Sequence, residues 1–153
     1  MKKNKLEFQI KRLVEDDVKS FQELIALFNE VFETENKLAP GEAYLKKLLT
    51  KKEFIVLVAT SENEIIGGLT GYEMPLYTEE HSELYIYDMA VKQSFQRMNA
   101  GKQLIAALGD YCKQNNIKTI MVEAHEEDKH AVTFYKSAGG KPEKVVHFNF
   151  EIL

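Results

Sequence analysis

The tightest constraint on this fold is the step that runs from residue 83 to residue 124. Glu83–Val91 reads as a strand ending in Met89-Ala90-Val91, a polar loop follows through Gln96-Arg97-Met98-Asn99-Ala100-Gly101, and an apolar helical pattern runs from about Ala100 to Asn116. Thr119–Ala124 then returns to strand. A strand, helix, strand step places two strands side by side and parallel, because the helix carries the chain back over the sheet. The same step has a chemical consequence. A strand that passes through a short loop into a helix start gathers several backbone N–H groups at one point, where the helix dipole also favours negative charge. The sequence therefore predicts an anion cradle suited to a phosphate.

The rest of the chain surrounds that step with hairpins. Leu6, Phe8 and Ile10 alternate with polar residues as a half-buried strand does, and Asp16 or Asp17 can cap a helix with apolar positions Val18, Phe21, Ile25, Phe28 and Phe32. A second helix begins near Pro40 and buries Tyr44, Leu45, Leu48 and Leu49. Phe54–Ala59 is a wholly apolar strand that turns through Ser61-Glu62-Asn63-Glu64 into a strand from Ile65 to about Leu76. Gly67, Gly68 and Gly71 mark a bulge or a close backbone approach in it. Lys129–Ala138 reads as helix and Val145–Phe150 as a last strand. The expected order is β-α-α-β-β-β-α-β-α-β, a mixed α/β architecture with a mostly antiparallel sheet and ligand entry at the carboxyl ends of the parallel strands.

Bulk properties narrow the function classes. A chain of 153 residues fits a single domain, residues 1–153, that buries about 68–70% of its unfolded surface without a staple. With 24 acidic and 20 basic residues there is no nucleic-acid footprint, and the mild acidity suits a cationic partner. The longest apolar run, Phe54–Ala59, is six residues, far short of the ~20 of a membrane span. The basic N-terminus leads into no secretory apolar run, so a cytoplasmic protein is expected. Cys112 sits among apolar helical neighbours with no histidine near it in sequence, which excludes it as a nucleophile. His125 and His130 lack the further ligands of a metal site, so no metal is expected.

Three spaced features together resemble the GNAT acetyltransferase superfamily: the strand ending Met89-Ala90-Val91, the loop Gln96–Gly101, and Ala131-Val132-Thr133-Phe134-Tyr135-Lys136-Ser137-Ala138-Gly139. Within it, Glu83–Val91 and the closing Val146-His147-Phe148-Asn149-Phe150 look like the aminoglycoside 3-N-acetyltransferases. The resemblance implies the GNAT fold, acetyl-coenzyme A as donor and a primary amine as acceptor. It also implies that the backbone of Met89, Ala90 and Val91 pairs with the pantetheine arm, and that Gln96, Arg97, Met98, Asn99, Ala100, Gly101 and Lys102 hold the pyrophosphate. Asn99 stands where the family loop has its first glycine. Asparagine tolerates positive φ better than other residues bearing a Cβ, but it adds bulk beside the phosphates.

By the same resemblance Tyr135 is the general acid that protonates the departing thiolate. A base is needed because an alkylammonium is not nucleophilic until it loses a proton. Strand alternation would put Asp88 on one face with Leu84, Ile86 and Ala90, where an aspartate is costly to bury without purpose. Asp88 is the first candidate base and Glu123, near the end of the parallel neighbour, the second. Acidic groups at Glu33 and Glu35, at Glu83, and at Glu126, Glu127 and Asp128 border loops that this fold places around the acceptor. Each exposed ion pair contributes only about 0.2–1 kcal/mol, so a polycationic substrate needs several. The expectation is direct acetyl transfer to a polycationic small molecule, an aminoglycoside at its 3-amino group, conferring antibiotic resistance. The rival acceptors are a polyamine, an amino acid or a protein amine, and the rival class is a catalytically weak acetyl-coenzyme A binding module. The resemblance also implies a homodimer, with Val145, Val146, Phe148 and Phe150 either pairing across an interface or finishing the monomer's own core.

Overall fold

A computed structural model describes residues 6–34 and 39–153, which fall into two compact units that divide after Glu123. The first holds a five-stranded sheet: β1 (Gln9–Arg12), β2 (Phe54–Ser61), β3 (Glu64–Pro75), β4 (Ser82–Val91) and β5 (Ile117–Val122), adjacent in that order. Three pairings are antiparallel, and β4–β5 is parallel. Helices α1 (Val18–Val31), α2 (Glu42–Leu49) and α3 (Ala100–Gln114) complete this unit. The crossover from β4 through α3 to β5 is the step that the sequence predicts.

The two sheet faces carry separate cores. Ile55, Leu57, Ile66, Leu69, Leu84 and Ile86 pack with Leu104, Leu108 and Cys112 of α3. Phe54, Val56, Val58 and Ile65 pack with Phe21, Leu24 and Phe28 of α1 and Leu45 and Leu49 of α2. Successive β2 residues thus serve opposite cores, which is why its run is apolar at every position instead of alternating. Gly68 has a definite reason to be glycine: a Cβ there would lie 2.5 Å from the Leu57 carbonyl and 2.6 Å from Leu24 Cδ1. Its bare backbone lets α1 settle onto β3.

The bulges suggested by the β3 glycines are also present: beside Gly67 the extra residue is Ile66 of β3 itself, since Ala59 pairs with Gly67 and Thr60 with Ile65, and beside Gly71 it belongs to the partner strand. Thr70 pairs with Asp88 and Gly71 with Ile86, so Tyr87 is the additional residue in β4. This corrects the alternation expected for Asp88. Leu84 and Ile86 face α3, whereas Ala90 belongs to the α1 core, and Asp88 lies on the α1 side with it. One inserted residue reverses the facing of everything that follows it in the strand.

Smaller differences have local causes. Asp17 is the residue ahead of α1, but its carboxylate turns back, accepting from Val14 N (2.8 Å) and Lys11 Nζ (2.7 Å). Asn116 takes φ 55°, which ends the α3 excursion abruptly and starts β5 at Ile117, two residues earlier than expected. In the second unit α4 (Lys129–Ser137) forms as expected, capped by Asp128, whose Oδ1 accepts from Ala131 N at 3.0 Å, and closed by Gly139 at φ 101°. The strand expected at Val145–Phe150 is not formed: residues 141–153 carry no regular secondary structure, and Val146, Phe148 and Phe150 are exposed. Alternation supplies one face of a strand, but a strand also needs a neighbour for its ladder.

Candidate active site

The site begins where the sheet opens. The β4–β5 ladder ends at Ile86–Val122, while β4 runs on to Val91, held there by β3 alone. The bulge at Tyr87 sits at this branch point. From Tyr87 to Val91 the β5-facing side of β4 is outside the ladder, and an extended ligand can be received there as an added strand. Met89 and Val91 are half-buried on the α3 side.

The chain leaves β4 through a short 3-10 turn, Gln93–Phe95. Lys92 forms an ion pair with Glu64, and Gln96 Nε2 donates to the Val91 carbonyl at 3.1 Å, which ties the loop to the strand end. Arg97 and Asn99 both take left-handed backbone, φ 62° and φ 73°, and Asn99 directly precedes α3. Helical bonding starts with Gln103 N donating to the Asn99 carbonyl (3.0 Å), so the amides of Ala100, Gly101 and Lys102 stand ahead of the ladder. Gln103, which the sequence does not single out, anchors this helix start: its side chain accepts from Phe8 N (3.2 Å) and donates to the Leu6 carbonyl (3.0 Å). Two left-handed turns, a row of helix-start amides, and Arg97 and Lys102 exposed beside them fit a pyrophosphate.

Aromatic and acidic side chains gather on the α1 side of the bulge. Tyr72 lies opposite Tyr85 across β3–β4, and the Tyr87 ring meets Tyr72 edge-on at 6.0 Å and Tyr85 at 6.5 Å. The Tyr85 hydroxyl donates to Glu123, just past the end of β5. Burial raises the Tyr85 phenol above its ordinary range, and the charges of Glu123 and Asp88 add to the rise. Burial likewise raises Tyr72, with smaller contributions from Tyr87, Tyr44 and Asp88. Asp88 and Glu123, the two candidate bases, thus both act on the Tyr85 phenol. Cys112 is buried on the sheet-facing side of α3 and its thiol is pushed up to about 11 by burial, with Glu73 adding to the rise, which leaves it inert near neutrality.

The sequence model of the Acetyltransferase (GNAT) family matches residues 20–139. The chain belongs to the GNAT acetyltransferase family. Such enzymes take their acetyl group from acetyl-coenzyme A, and the open β4 edge and the Arg97–Lys102 turn are of the right kind to receive it. Among solved structures, this acetyltransferase is 39% identical to the aminoglycoside acetyltransferase meta-AAC0020 from an uncultured soil metagenomic sample, in complex with sisomicin, with a TM-score of 0.93 over 95% of this chain and 97% of that one. It is 33% identical to the aminoglycoside acetyltransferase HMB0005, also from an uncultured soil metagenomic sample, with a TM-score of 0.91 over 97% and 100% of the two chains. It is also 26% identical over 132 residues, 85% of this chain and 87% of the relative, to the uncharacterized N-acetyltransferase YhfO of Bacillus subtilis (strain 168).

The remaining expected site residues of the acetyltransferase belong to several elements of the two units. Glu83 is half-buried two residues before Tyr85 in β4, and Glu33 is exposed just beyond α1 with φ 52°. Glu35 lies outside the described residues. Glu126 and Glu127 are exposed ahead of α4 in the second unit, and Asp128 commits one oxygen to capping that helix. Tyr135 lies in α4, its ring edge-on to Phe134 at 5.2 Å, and its carbonyl accepts from Gly140 N at 2.9 Å. Among the described residues no group of three or more His, Cys, Asp or Glu could hold a metal ion, and no helix is long and apolar enough to cross a membrane. Sequence reading missed the tyrosine cluster. Tyr85 and Tyr87 were visible two apart in one strand, but the place of Tyr72 beside them depends on the register of β3 on β4.

Proposed function

We propose that this acetyltransferase moves acetyl from acetyl-coenzyme A directly to an amine of an aminoglycoside, at its 3-amino group. The observation that carries the chemistry is the branch point, where the β4–β5 ladder ends beside a bulge that turns Asp88 into a tyrosine-lined, acidic neighbourhood. Similarity to an aminoglycoside acetyltransferase in complex with sisomicin supports the acceptor class.

In this mechanism the backbone of Met89, Ala90 and Val91 receives the pantetheine arm, and residues Gln96–Lys102 hold the pyrophosphate. Asp88 removes a proton from the acceptor ammonium, with Glu123 as the second candidate for that role. Tyr135 supplies the proton that the leaving thiolate takes up. Glu33, Glu35, Glu83, Glu126, Glu127 and Asp128 share the remaining positive charges of the acceptor. The catalytic domain comprises residues 1–153, acts in the cytoplasm as a homodimer, and serves antibiotic resistance. A panel of aminoglycosides, polyamines, amino acids and basic peptides, read by thiol release and product mass, tests the acceptor. Efficient turnover confined to aminoglycosides that carry a free 3-amino group is expected. Equal turnover of a 3-deaminated aminoglycoside would overturn the regiochemistry, and turnover of another amine class alone would overturn the acceptor.

A further inference from the structure

The bulge in β4 does more than reverse a strand face. Because Tyr87 is the extra residue, Tyr87 and Asp88 are consecutive in sequence yet share the α1 side of the sheet. In a regular strand the two would point to opposite faces. A carboxylate is thereby set next to an aromatic ring, and Tyr72 of β3 meets that ring edge-on at 6.0 Å, with an interplanar angle of 83°. Tyr72 is itself held from behind by Phe54, 5.1 Å away, a buried member of the α1 core.

These rings are not hidden. Tyr72 keeps 41% and Tyr87 65% of its surface exposed, although both stand on a sheet face whose neighbouring positions are core. Two aromatic rings fixed in a perpendicular pair, uncovered and beside a carboxylate, offer a cation two things at once: the negative ring faces and a full negative charge. An anion would be repelled by the same group.

We propose that Tyr72 and Tyr87 form, with Asp88, an aromatic seat for the reacting alkylammonium of the acceptor, which holds the cation against the ring faces until its proton is removed. This inference rests on the reading of the protein as an amine acetyltransferase, and it adds the side chains that select a cationic amine over a neutral one. The seat takes a primary or quaternary alkylammonium and has no affinity for a neutral isostere. Its energetic source is the ring face and not the phenolic hydroxyl, so phenylalanine substitutes for tyrosine and leucine does not.

Two measurements test it. The first needs no turnover: titration with tetramethylammonium, followed by NMR of the tyrosine rings, is expected to give saturable shifts at Tyr72 and Tyr87. Those shifts persist in Y72F and Y87F, in the ring that remains, and vanish in Y72L/Y87L. Its neutral isostere, neopentane-like tert-butanol, is expected to give none. Absence of saturable tetramethylammonium shifts in the wild-type protein would overturn the seat. The second uses the best acceptor found in the amine panel. Y87L and Y72L are each expected to lower kcat/KM for that acceptor about tenfold, equivalent to about 1.4 kcal/mol, through KM, with KM for acetyl-coenzyme A unchanged and Y87F within about twofold of wild type. Equal losses in the phenylalanine and leucine variants would also overturn it. If the acceptor proves to be another alkylamine and the leucine variants still lose it, the aminoglycoside assignment fails and the seat stands. If aminoglycosides are acetylated and the leucine variants are unaffected, the seat fails and that assignment stands.

Discussion

The proposed chemistry turns on single residues at two points of the first unit. Asp88 owes its position to Tyr87, and as a base it has a testable signature: D88N is expected to lower kcat most at low pH, where the amine is most fully protonated. A loss that is flat across pH would assign Asp88 to orientation instead of proton removal, as a rate profile would show. Asn99 is the second point, because it bears φ 73° at the entrance to α3. Left-handed backbone costs a residue with an ordinary Cβ roughly 1–2 kcal/mol, and asparagine and glycine less. N99A is therefore expected to unfold with about 1 kcal/mol less stability and to bind acetyl-coenzyme A more weakly, while N99G keeps both, measured by denaturant titration and calorimetry. Asparagine at this position was legible as a departure from the family's glycine. That it adopts the glycine-like conformation was a matter for the backbone.

Among the elements, the crossover β4–α3–β5 and the two sheet-facing helices of the α1 layer were readable because their apolar periodicity is strong and their lengths are ordinary. What periodicity misses is an insertion of one residue. The bulge leaves the composition of β4 unchanged and shows only in its register on β3, so the facing of Asp88 was inverted in the sequence reading. Start signals were similarly half legible: an aspartate was expected before α1, yet Asp17 serves the preceding turn and Lys11. Those two contacts, with the Lys11 hydrogen bond first and the Val14 amide second, hold the Asp17 carboxyl below the usual carboxylate range. A depressed folded pKa means stability that is present above the unfolded value and lost as pH falls through the folded one. D17N is accordingly expected to be less stable than wild type near pH 7, with the difference fading below about pH 4. Urea titrations at the two pH values check it, and a pH-independent difference would trace the effect to packing.

For the molecule as a whole, the sixth expected strand is the place where the sequence says most about what lies beyond one chain. Val146, Phe148, Phe150 and Ile152 alternate with His147, Asn149 and Glu151, a pattern suited to a half-buried strand, and all four apolar residues are exposed. If the proposed homodimer uses them, V146S/F148S/F150S is expected to shift the protein from dimer to monomer in analytical ultracentrifugation without loss of the α1 and α3 cores. A dimer that survives the triple change would place its interface elsewhere. The sequence by itself determined the order of the elements from β1 through α4, the parallel step and the family, because each is written in local periodicity and in spacing along the chain. Only the tertiary structure decided where the β4–β5 ladder ends, on which side of the sheet Asp88 stands, and that Tyr72 meets Tyr87. Those are matters of register between strands, and register is fixed by pairing partners distant in sequence; the β3 glycines hint at a bulge, but nothing in the β4 sequence marks Tyr87 as its extra residue.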